Sequence, residues 1–282
     1  MRELKGRVAV VTGGASGIGE ALARACAGEG MKVAVADIEA SGAEAVAASI
    51  REGGGEAIGV GCDVSDRKSV DALADATWDA FGAAHLLCNN AGVLAHGPIV
   101  DSTDADWQWL LGVNLFGVLN GVRAFVPRMR AQGGDAHVVN TASIAGMAAV
   151  PDIGIYCATK HAVVAVSEVL AQELAEDGIG VSVLCPGGVE TRIHEAGRNR
   201  PAVFGGPVAA LEPASVQQEE MAESFEQELQ EIIAPADVAK LVLAAVRERE
   251  LYVFTHPAWK VPFQHHADAI VAAYDRAADR RS

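Results

Sequence analysis

The stretch VAVVTGGASGIG, residues 8–19, joins an apolar run to a glycine-rich turn, and an alanine-rich segment of helical length follows to residue 29. This succession predicts a buried strand, a sharp turn and a helix. Glycine lets the backbone turn sharply and lets a diphosphate approach without a Cβ in the way, and the free N–H groups at a helix start favour an anion. The spacing is GxxxGxG from Gly13, a variant of the dinucleotide fingerprint. A tight connection that binds nothing is the plainer alternative.

A second apolar run ends at Asp37, twenty-four residues after Gly13. An acidic side chain at this place accepts hydrogen bonds from the adenosine ribose hydroxyls and repels a 2′-phosphate. Because no Lys or Arg lies in the glycine turn or just after Asp37, the sequence favours NAD(H) over NADP(H). The alternative is that Asp37 only caps the next helix, which is predicted to begin near Glu39.

Short apolar runs alternate with segments of helical length along the chain. Strands that are apolar throughout and separated by helices are typical of a parallel sheet covered on both faces. Right-handed crossovers then give one doubly wound, Rossmann-like α/β domain over residues 1–282, with its ligand at the carboxyl ends of the strands. The predicted strands are Val8–Thr12, Lys32–Asp37, Ala57–Cys62, His85–Asn89, Ala136–Ala142, Val181–Cys185 and Leu251–Phe254.

The alternation breaks between about residues 191 and 234, where glycines and prolines precede a segment with apolar residues at helical spacing. This pattern predicts a helical substrate lid, and a plain surface excursion is the alternative. The tail, 256–282, is predicted to hold a docked helix. The apolar residues behind these two predictions are Met221, Phe225, Leu229 and Ile232 in the lid and Ala269, Ile270 and Ala273 in the tail.

Composition argues against several classes of protein. The net charge of −15 disfavours a nucleic-acid backbone or an anionic membrane surface as a partner. Five scattered cysteines form no CxxC pair and no Cys/His spacing suited to zinc, so no metal site is predicted and buried thiols in a reducing compartment are favoured. The first residues lack the apolar core of a signal peptide, and no run of eighteen apolar residues occurs. The sequence therefore predicts a soluble cytoplasmic protein.

Tyr156 and Lys160 stand four residues apart in a predicted helix, so the phenol and the ammonium share a face. A phenol titrates near pH ~10 in water, and a neighbouring cation favours its ionised form. Such a tyrosine can exchange a proton near neutral pH, which is general acid–base catalysis. A partly buried tyrosine beside a solvated lysine is the alternative.

Together these features resemble the short-chain dehydrogenase/reductase family over nearly the whole chain. The motifs that carry the resemblance are TGGASGIG at 12–19, Asp37, Asp63-Val64, NNAG at 89–92, Asn114, Ser143, YxxxK at 156–160 and Pro186-Gly187 with Thr191. The resemblance implies an oxidoreductase that interconverts a secondary alcohol and its ketone with NAD. The implied cofactor-binding residues are Gly13, Ser16, Gly17, Ile18, Gly19, Asp37, Asp63, Val64, Asn90, Ala91, Gly92, Tyr156, Lys160, Pro186, Gly187, Val189 and Thr191.

The resemblance also implies four catalytic residues. Tyr156 exchanges the proton with the substrate oxygen, and Lys160 lowers the phenol pKa and holds the nicotinamide ribose. Ser143 hydrogen-bonds the substrate oxygen, and Asn114 helps to hold a water that links Lys160 to solvent. Taken alone, Ser143 is equally a helix cap and Asn114 an asparagine bonded to a local carbonyl.

Further roles follow from the same resemblance. The Asp63-Val64 pair contacts adenine, Asn90 positions the cofactor, and Thr191 orients the nicotinamide carboxamide. Asn89 is expected to brace adjacent strands.

The segments expected to wall the substrate pocket are mostly apolar and hold no cluster of Lys or Arg. A hydrophobic secondary alcohol or ketone therefore fits better than a sugar or a charged acid. Three stretches, FVPRM at 125–129, EAGRNRP at 195–201 and LYVFTHP at 251–257, resemble a branch that includes Cα-dehydrogenases of lignin-derived aryl ethers, which implies an aryl carbinol. The expected wall residues are Leu94, Ile144, Ile153, Val189, Ile193 and Phe204; His96, Asp152 and His194 are placed near the pocket mouth in surface or capping roles.

Two other functions remain open at this point. A 3-oxoacyl thioester reductase would favour NADPH and basic residues for its carrier, which disagrees with Asp37 and the acidic surface. A silent dinucleotide sensor would lack the tyrosine or the lysine. Family members are commonly homotetramers paired through the helices that contain Asn114 and Tyr156. The face formed by Ala162, Val163, Val166 and Leu170 fits such pairing, and core burial explains it as well.

Overall fold

The computed structural model describes residues 1–208 and 231–280, so the predicted lid residues Met221, Phe225 and Leu229 lie outside the described residues. All seven predicted strands are present, with ends within two residues of those expected from the sequence. The strands are β1 (Val8–Thr12), β2 (Lys32–Asp37), β3 (Ala57–Gly61), β4 (Leu86–Asn89), β5 (Ala136–Thr141), β6 (Ile179–Cys185), β7 (Gly188–Val189), β8 (Ile232–Ile233) and β9 (Tyr252–Phe254).

Seven of these strands form one parallel sheet in the order β3-β2-β1-β4-β5-β6-β9, and β7 pairs with β8 separately. The chain winds outward in one direction from β1 to β3 and in the other from β4 to β9. The connections therefore diverge between β1 and β4, which opens a crevice at the carboxyl ends of those strands. The predicted doubly wound Rossmann-like fold is confirmed.

Helices cover both faces of the sheet. The helices of the described residues are α1 (Gly17–Gly28), α2 (Ala40–Glu52), α3 (Arg67–Phe81), α4 (Asp104–Leu110), α5 (Gly117–Gln132), α6 (Gly154–Glu173), α7 (Pro235–Glu248) and α8 (Lys260–Asp279), of which α8 does not lie on the sheet. Neighbouring residues of β1 are buried on opposite faces of the sheet. Val11 packs with residues of α1, α2 and α7, and Val10 packs with residues of α3, α5 and α6. This two-sided burial explains why the strand is apolar at every position.

Local signals set the helix ends. The Asp66 carboxylate caps α3 by accepting a hydrogen bond from the Lys68 N–H at 3.0 Å, and Gly82 ends that helix in the left-handed conformation at φ 73°. The helical run Asp104–Gln132 is long and apolar enough to cross a membrane by length and composition. However, 56% of its most apolar window is buried inside the fold, as in a core helix. All five cysteines are buried free thiols.

One expectation differs from the structure, and one alternative that the sequence left open is resolved in part. The tail does form a helix, α8, but it is not docked on the described part of its own chain: none of its residues is buried, and Ile270 is 47% exposed. Its apolar residues meet no complementary face among the described residues of the chain. On α6, Val163 and Leu170 are buried in the cores against the sheet, so core burial explains these two apolar positions.

Candidate active site

A cavity of about 490 Å³ opens at the carboxyl ends of the strands, where the winding direction reverses. Every residue that the sequence suggested for cofactor binding lies around it, and so does Ser143. Asn114 is the exception, because it is fully buried behind the cavity. Residues that are far apart in the chain thus meet in one place, as the strand-end positions predicted.

The glycine turn between β1 and α1 forms a cradle in which side chains do not fit. Gly13 has φ +65°, and a Cβ placed on it would lie 2.8 Å from the Ala91 Cα. Gly17 has φ +55°, and its Cβ would lie 3.0 Å from the Thr191 Cγ2. A Cβ on Gly19 would overlap the Gly13 carbonyl oxygen. Since α1 begins at Gly17 and directs its free N–H groups to this turn, the cradle fits a diphosphate.

Asp37 at the end of β2 makes backbone hydrogen bonds, and its role with a ribose stays a prediction. Its Oδ2 accepts a hydrogen bond from the Ala15 N–H at 3.0 Å, and its Oδ1 accepts one from the Glu39 N–H at 2.9 Å. The carboxylate therefore ties the glycine turn to the start of α2. It also lines the cavity, and each oxygen keeps a lone pair for a ribose hydroxyl.

The loop after β4 is fastened to the glycine turn by Thr12, whose role the sequence did not reveal. The Thr12 Oγ1 accepts hydrogen bonds from the Asn90 N–H at 3.0 Å and the Ala91 N–H at 3.2 Å, and Asn90 Nδ2 donates to the Thr12 carbonyl at 3.0 Å. In the sequence, Thr12 differs from its neighbours only as a hydroxyl residue at the end of a predicted strand. Asn89 bonds Asn140 on the neighbouring strand at 2.9 Å, which confirms the expected brace between strands.

Tyr156 and Lys160 lie on one face of α6, with the Lys160 Nζ 5.4 Å from the centre of the phenol ring. Lys160 is 2% exposed, and its ammonium donates to the Thr141 carbonyl at 2.8 Å. Thr141, the last residue of β5, is a second positioning group that the motifs did not identify. Burial lowers the pKa of Lys160 to about 8. The cation is thus held in a nearly dry place beside the phenol.

Ser143 follows β5 and makes local hydrogen bonds as well as facing the cavity. Its Oγ accepts from the Ala145 N–H at 3.1 Å, which caps a short 3₁₀ turn, and donates to the Pro186 carbonyl at 3.4 Å. Burial raises the pKa of Tyr156 to about 12, and a hydrogen bond with the Ser143 side chain acts in the opposite direction. Burial is the largest cause of this shift, and the lowering of the phenol pKa by Lys160 that the resemblance implied is not among its causes.

Asn114 braces the site from behind. It lies in a π-helical turn, Leu111–Phe116, between α4 and α5. Its side chain exchanges hydrogen bonds with the Val93 backbone at 2.8 and 2.9 Å and donates to the Thr159 Oγ1 at 3.1 Å. These contacts join the loop after β4 to α6, and the implied role with a relay water stays a prediction.

The substrate side of the cavity is mostly apolar, as expected, but some of the residues that line it are not the expected ones. Four predicted wall residues line it: Ile144, Ile153, Val189 and Ile193. Leu94 and Phe204 do not, and Phe204 instead packs against the buried cluster around Trp109 and Leu110. Among the described residues, the wall gains Trp109, Val113, Val150 and Trp259.

Polar groups also reach this cavity. His194 lines it, and its ring stacks on that of His96 at 5.7 Å between centroids. Two arginines, Arg192 and Arg198, lie at the cavity although the sequence showed no basic cluster. Each guanidinium is ion-paired, to Glu195 at 2.7 Å and to Glu39 at 2.8 Å respectively. Each guanidinium charge is therefore balanced by a neighbouring carboxylate.

Comparison with known proteins gives consistent matches. A family model described as short chain dehydrogenase matches residues 7–201. A C alpha-dehydrogenase of Sphingobium sp. is 36% identical over 96% of this chain and 87% of that protein. A D-threitol dehydrogenase of Mycolicibacterium smegmatis is 43% identical over 68% of this chain and 74% of its own length. A crystal structure of a short chain dehydrogenase/reductase from Burkholderia phymatum in complex with NAD is 41% identical, with a TM-score of 0.85 over 96% of this chain and 97% of that one.

Proposed function

The chain belongs to the short-chain dehydrogenase/reductase family, and we propose that it interconverts a hydrophobic secondary alcohol and its ketone with NAD(H). One observation supports this proposal most strongly. Tyr156, Lys160 and Ser143 lie around the same cavity as the glycine cradle and Asp37. A proton-transfer group thus faces the place where the fold would bring a dinucleotide.

The proposed chemistry divides between the cofactor and the chain. The nicotinamide supplies or accepts the hydride when bound. In the reducing direction, Tyr156 donates its proton to the carbonyl oxygen of the substrate; in the oxidising direction it accepts the proton of the alcohol. Ser143 donates a hydrogen bond to the same oxygen, which stabilises the negative charge that develops there. Lys160 stabilises the phenolate and holds the nicotinamide ribose.

The direction of the Tyr156 pKa shift bears on this mechanism. A phenol with a pKa raised to about 12 by burial is fully protonated at neutral pH, which suits proton donation to a ketone. Alcohol oxidation needs the phenolate, so its rate should increase as the pH rises. The buried ammonium of Lys160 stabilises the phenolate only while it is charged. Because the pKa of Lys160 is about 8, this stabilisation should weaken above about pH 8.

The preference for NAD over NADP is supported by Asp37. Its carboxylate, fixed by two backbone N–H groups, is placed to accept ribose hydroxyls and to repel a 2′-phosphate. Arg198, which also lines the cavity, has its charge balanced by Glu39. The relative solved with NAD agrees with this choice.

An aryl carbinol is the substrate class that we favour. The apolar wall with Trp109 suits an aromatic group, and the Sphingobium C alpha-dehydrogenase aligns with 96% of the chain. The thioester reductase is disfavoured because both cavity arginines are already paired with carboxylates. A silent sensor is disfavoured because the tyrosine, lysine and serine are all present around the cavity.

We also infer a cytoplasmic homotetramer. Family members commonly pair through the helices that contain Asn114 and Tyr156. Phe116 and Val169, which lie on or beside these helices, are 48% and 53% exposed. The undocked helix α8 exposes further apolar residues, which a second copy would cover. Sedimentation at micromolar concentration tests this inference, and a monomer would contradict it.

The experiment that tests the proposed function is nicotinamide absorbance during turnover of aryl and alicyclic secondary alcohols, with NAD⁺ and NADP⁺ in parallel. D-threitol belongs in the same panel because one relative is named for it. Turnover of an aryl alcohol with NAD⁺ alone is expected. Turnover with NADP⁺ alone would refute the interpretation of Asp37, and turnover of D-threitol alone would refute the hydrophobic substrate.

A further inference from the structure

Residues 191–199 form a strap that crosses the cavity from the glycine turn to the end of β2. At one end Thr191 lies against Gly17, at the close approach described above. At the other end Arg198 and Asn199 reach Glu39, two residues beyond Asp37. Strap residues between these ends, including Arg192 and Ile193, line the cavity. The strap therefore covers the groove between the diphosphate cradle and the ribose carboxylate.

One carboxylate oxygen accepts three hydrogen bonds from the far end of the strap, whose middle is also held by the burial of Ala196 and by the Val208 N–H, which donates to the Gly197 carbonyl at 3.0 Å. Glu39 Oε1 accepts hydrogen bonds from Arg198 Nη2 at 2.8 Å, Arg198 Nε at 3.1 Å and Asn199 Nδ2 at 2.8 Å. The hydrogen bond from Asn199, together with those from Arg198, holds the pKa of Glu39 below its usual value. The Glu39 side chain makes no cap hydrogen bond to α2. Its contacts thus hold the strap rather than its own helix.

The chain beyond the strap has a separate anchor. Arg200 Nη1 pairs with Asp106 Oδ1 at 2.7 Å, and these side chains are only 12% and 21% exposed. The Arg200 guanidinium also lies over the Trp109 ring at 5.3 Å. This anchor is more buried than the Glu39 contacts, whose partners are 30% and 39% exposed. The Glu39 end is therefore the part that opens more easily.

We propose that Glu39 is a positioning residue that clasps the strap over a bound dinucleotide and sets the rate at which the cofactor leaves. This inference rests on the proposed function, since it requires a dinucleotide in the cavity. A dinucleotide in the groove lies between the strap and the glycine cradle. It can leave only when the strap lifts, and lifting breaks the three hydrogen bonds to Glu39.

The test is the rate of NADH release, measured by stopped-flow fluorescence with excess NAD⁺ as the displacing ligand and no substrate. Glu39→Ala is expected to release NADH about tenfold faster, which corresponds to about 1.4 kcal/mol. The matched control is Glu44→Ala, which removes a carboxylate paired with Arg51 at 2.6 Å on the same helix and away from the cavity. Its release rate is expected to stay within about twofold of the wild type.

A second readout separates the clasp from a general loss of stability. In the NADH complex, backbone hydrogen exchange over residues 193–199 should be faster in Glu39→Ala, with the melting temperature of the free protein little changed. The reversed pair, Glu39→Arg with Arg198→Glu, should bring release back toward the wild-type rate.

The possible failures are distinguishable. Equal or slower release from Glu39→Ala, with NADH bound normally by the wild type, would overturn the clasp and leave the proposed function standing. A wild-type protein that does not bind NADH would overturn both. Equal acceleration by Glu44→Ala would also overturn the clasp.

Discussion

Replacing Asp37 by alanine tests the origin of the cofactor preference. In the wild type, the ribose hydroxyls would donate to an ionised carboxylate that two backbone N–H groups already fix in place. A hydrogen bond to a charged group contributes about 1.5–3 kcal/mol, and the lower end applies because Asp37 is only partly buried. Two such bonds amount to roughly 3 kcal/mol, so NADH affinity should fall about 100-fold.

The affinity for NADPH should respond differently. The 2′-phosphate loses a repelling carboxylate in Asp37→Ala, so NADPH should bind no more weakly than to the wild type. The assay is fluorescence titration with each reduced cofactor. A parallel fall in both affinities would refute the reasoning, because it would show that Asp37 acts only by supporting the glycine turn.

The structural cost of the substitution needs its own control. The N–H groups of Ala15 and Glu39 lose their acceptor in Asp37→Ala, and water can replace it only in part. The control is Asp66→Ala, which removes the same kind of carboxylate-to-backbone contact from the start of α3 and does not itself line the cavity. It should lower stability by about 1 kcal/mol without changing either cofactor affinity.

Two further predictions concern stability and the cradle. His137 is fully buried, its Nε2 bonds Ser182 at 2.8 Å, its Nδ1 has no partner, and burial lowers its pKa to about 3. As the pH falls below about 6.5, His137 therefore takes up a proton in the unfolded chain but not in the folded one. The free energy of unfolding should then drop by about 1.4 kcal/mol per pH unit down to about pH 3. Urea titrations of the wild type and His137→Leu should show that the variant loses less stability over this range, and equal losses would contradict the assignment. Gly19→Ala should abolish NADH binding and lower the melting temperature, because its Cβ would overlap the Gly13 carbonyl. Gly28→Ala is the control: it lies in the same helix, nothing is within 4 Å of the added Cβ, and it should change neither NADH binding nor the melting temperature.

The sequence was sufficient for features that depend on local pattern. The strand, turn and helix of residues 8–29 follow from apolar residues beside glycines that no other residue can replace. The positions of Asp37 and Ser143 at one edge follow from the rule that parallel strands end together. The face shared by Tyr156 and Lys160 follows from helical spacing alone. Each of these needs only neighbours in the chain and the geometry of a parallel sheet.

Contacts between distant residues were beyond the reach of the sequence. Arg198 meets Glu39 across 159 residues, so the absence of a basic residue just after Asp37 did not reveal a guanidinium nearby. The prediction that α8 docks on its own chain was wrong for the described residues, because an apolar stripe does not say which surface covers it. The Tyr156 pKa was expected to be lowered by the neighbouring Lys160, whereas burial, which depends on the whole fold, is the largest cause of its shift and raises it.

The central claim is that Tyr156 exchanges the proton with the substrate, and Tyr156→Phe tests it most directly. The variant keeps the ring and removes only the hydroxyl. NADH affinity, measured by fluorescence, should stay within about threefold of the wild type, while alcohol turnover should fall by about 10²–10⁴. Turnover within tenfold of the wild type, with NADH still bound, would contradict the account.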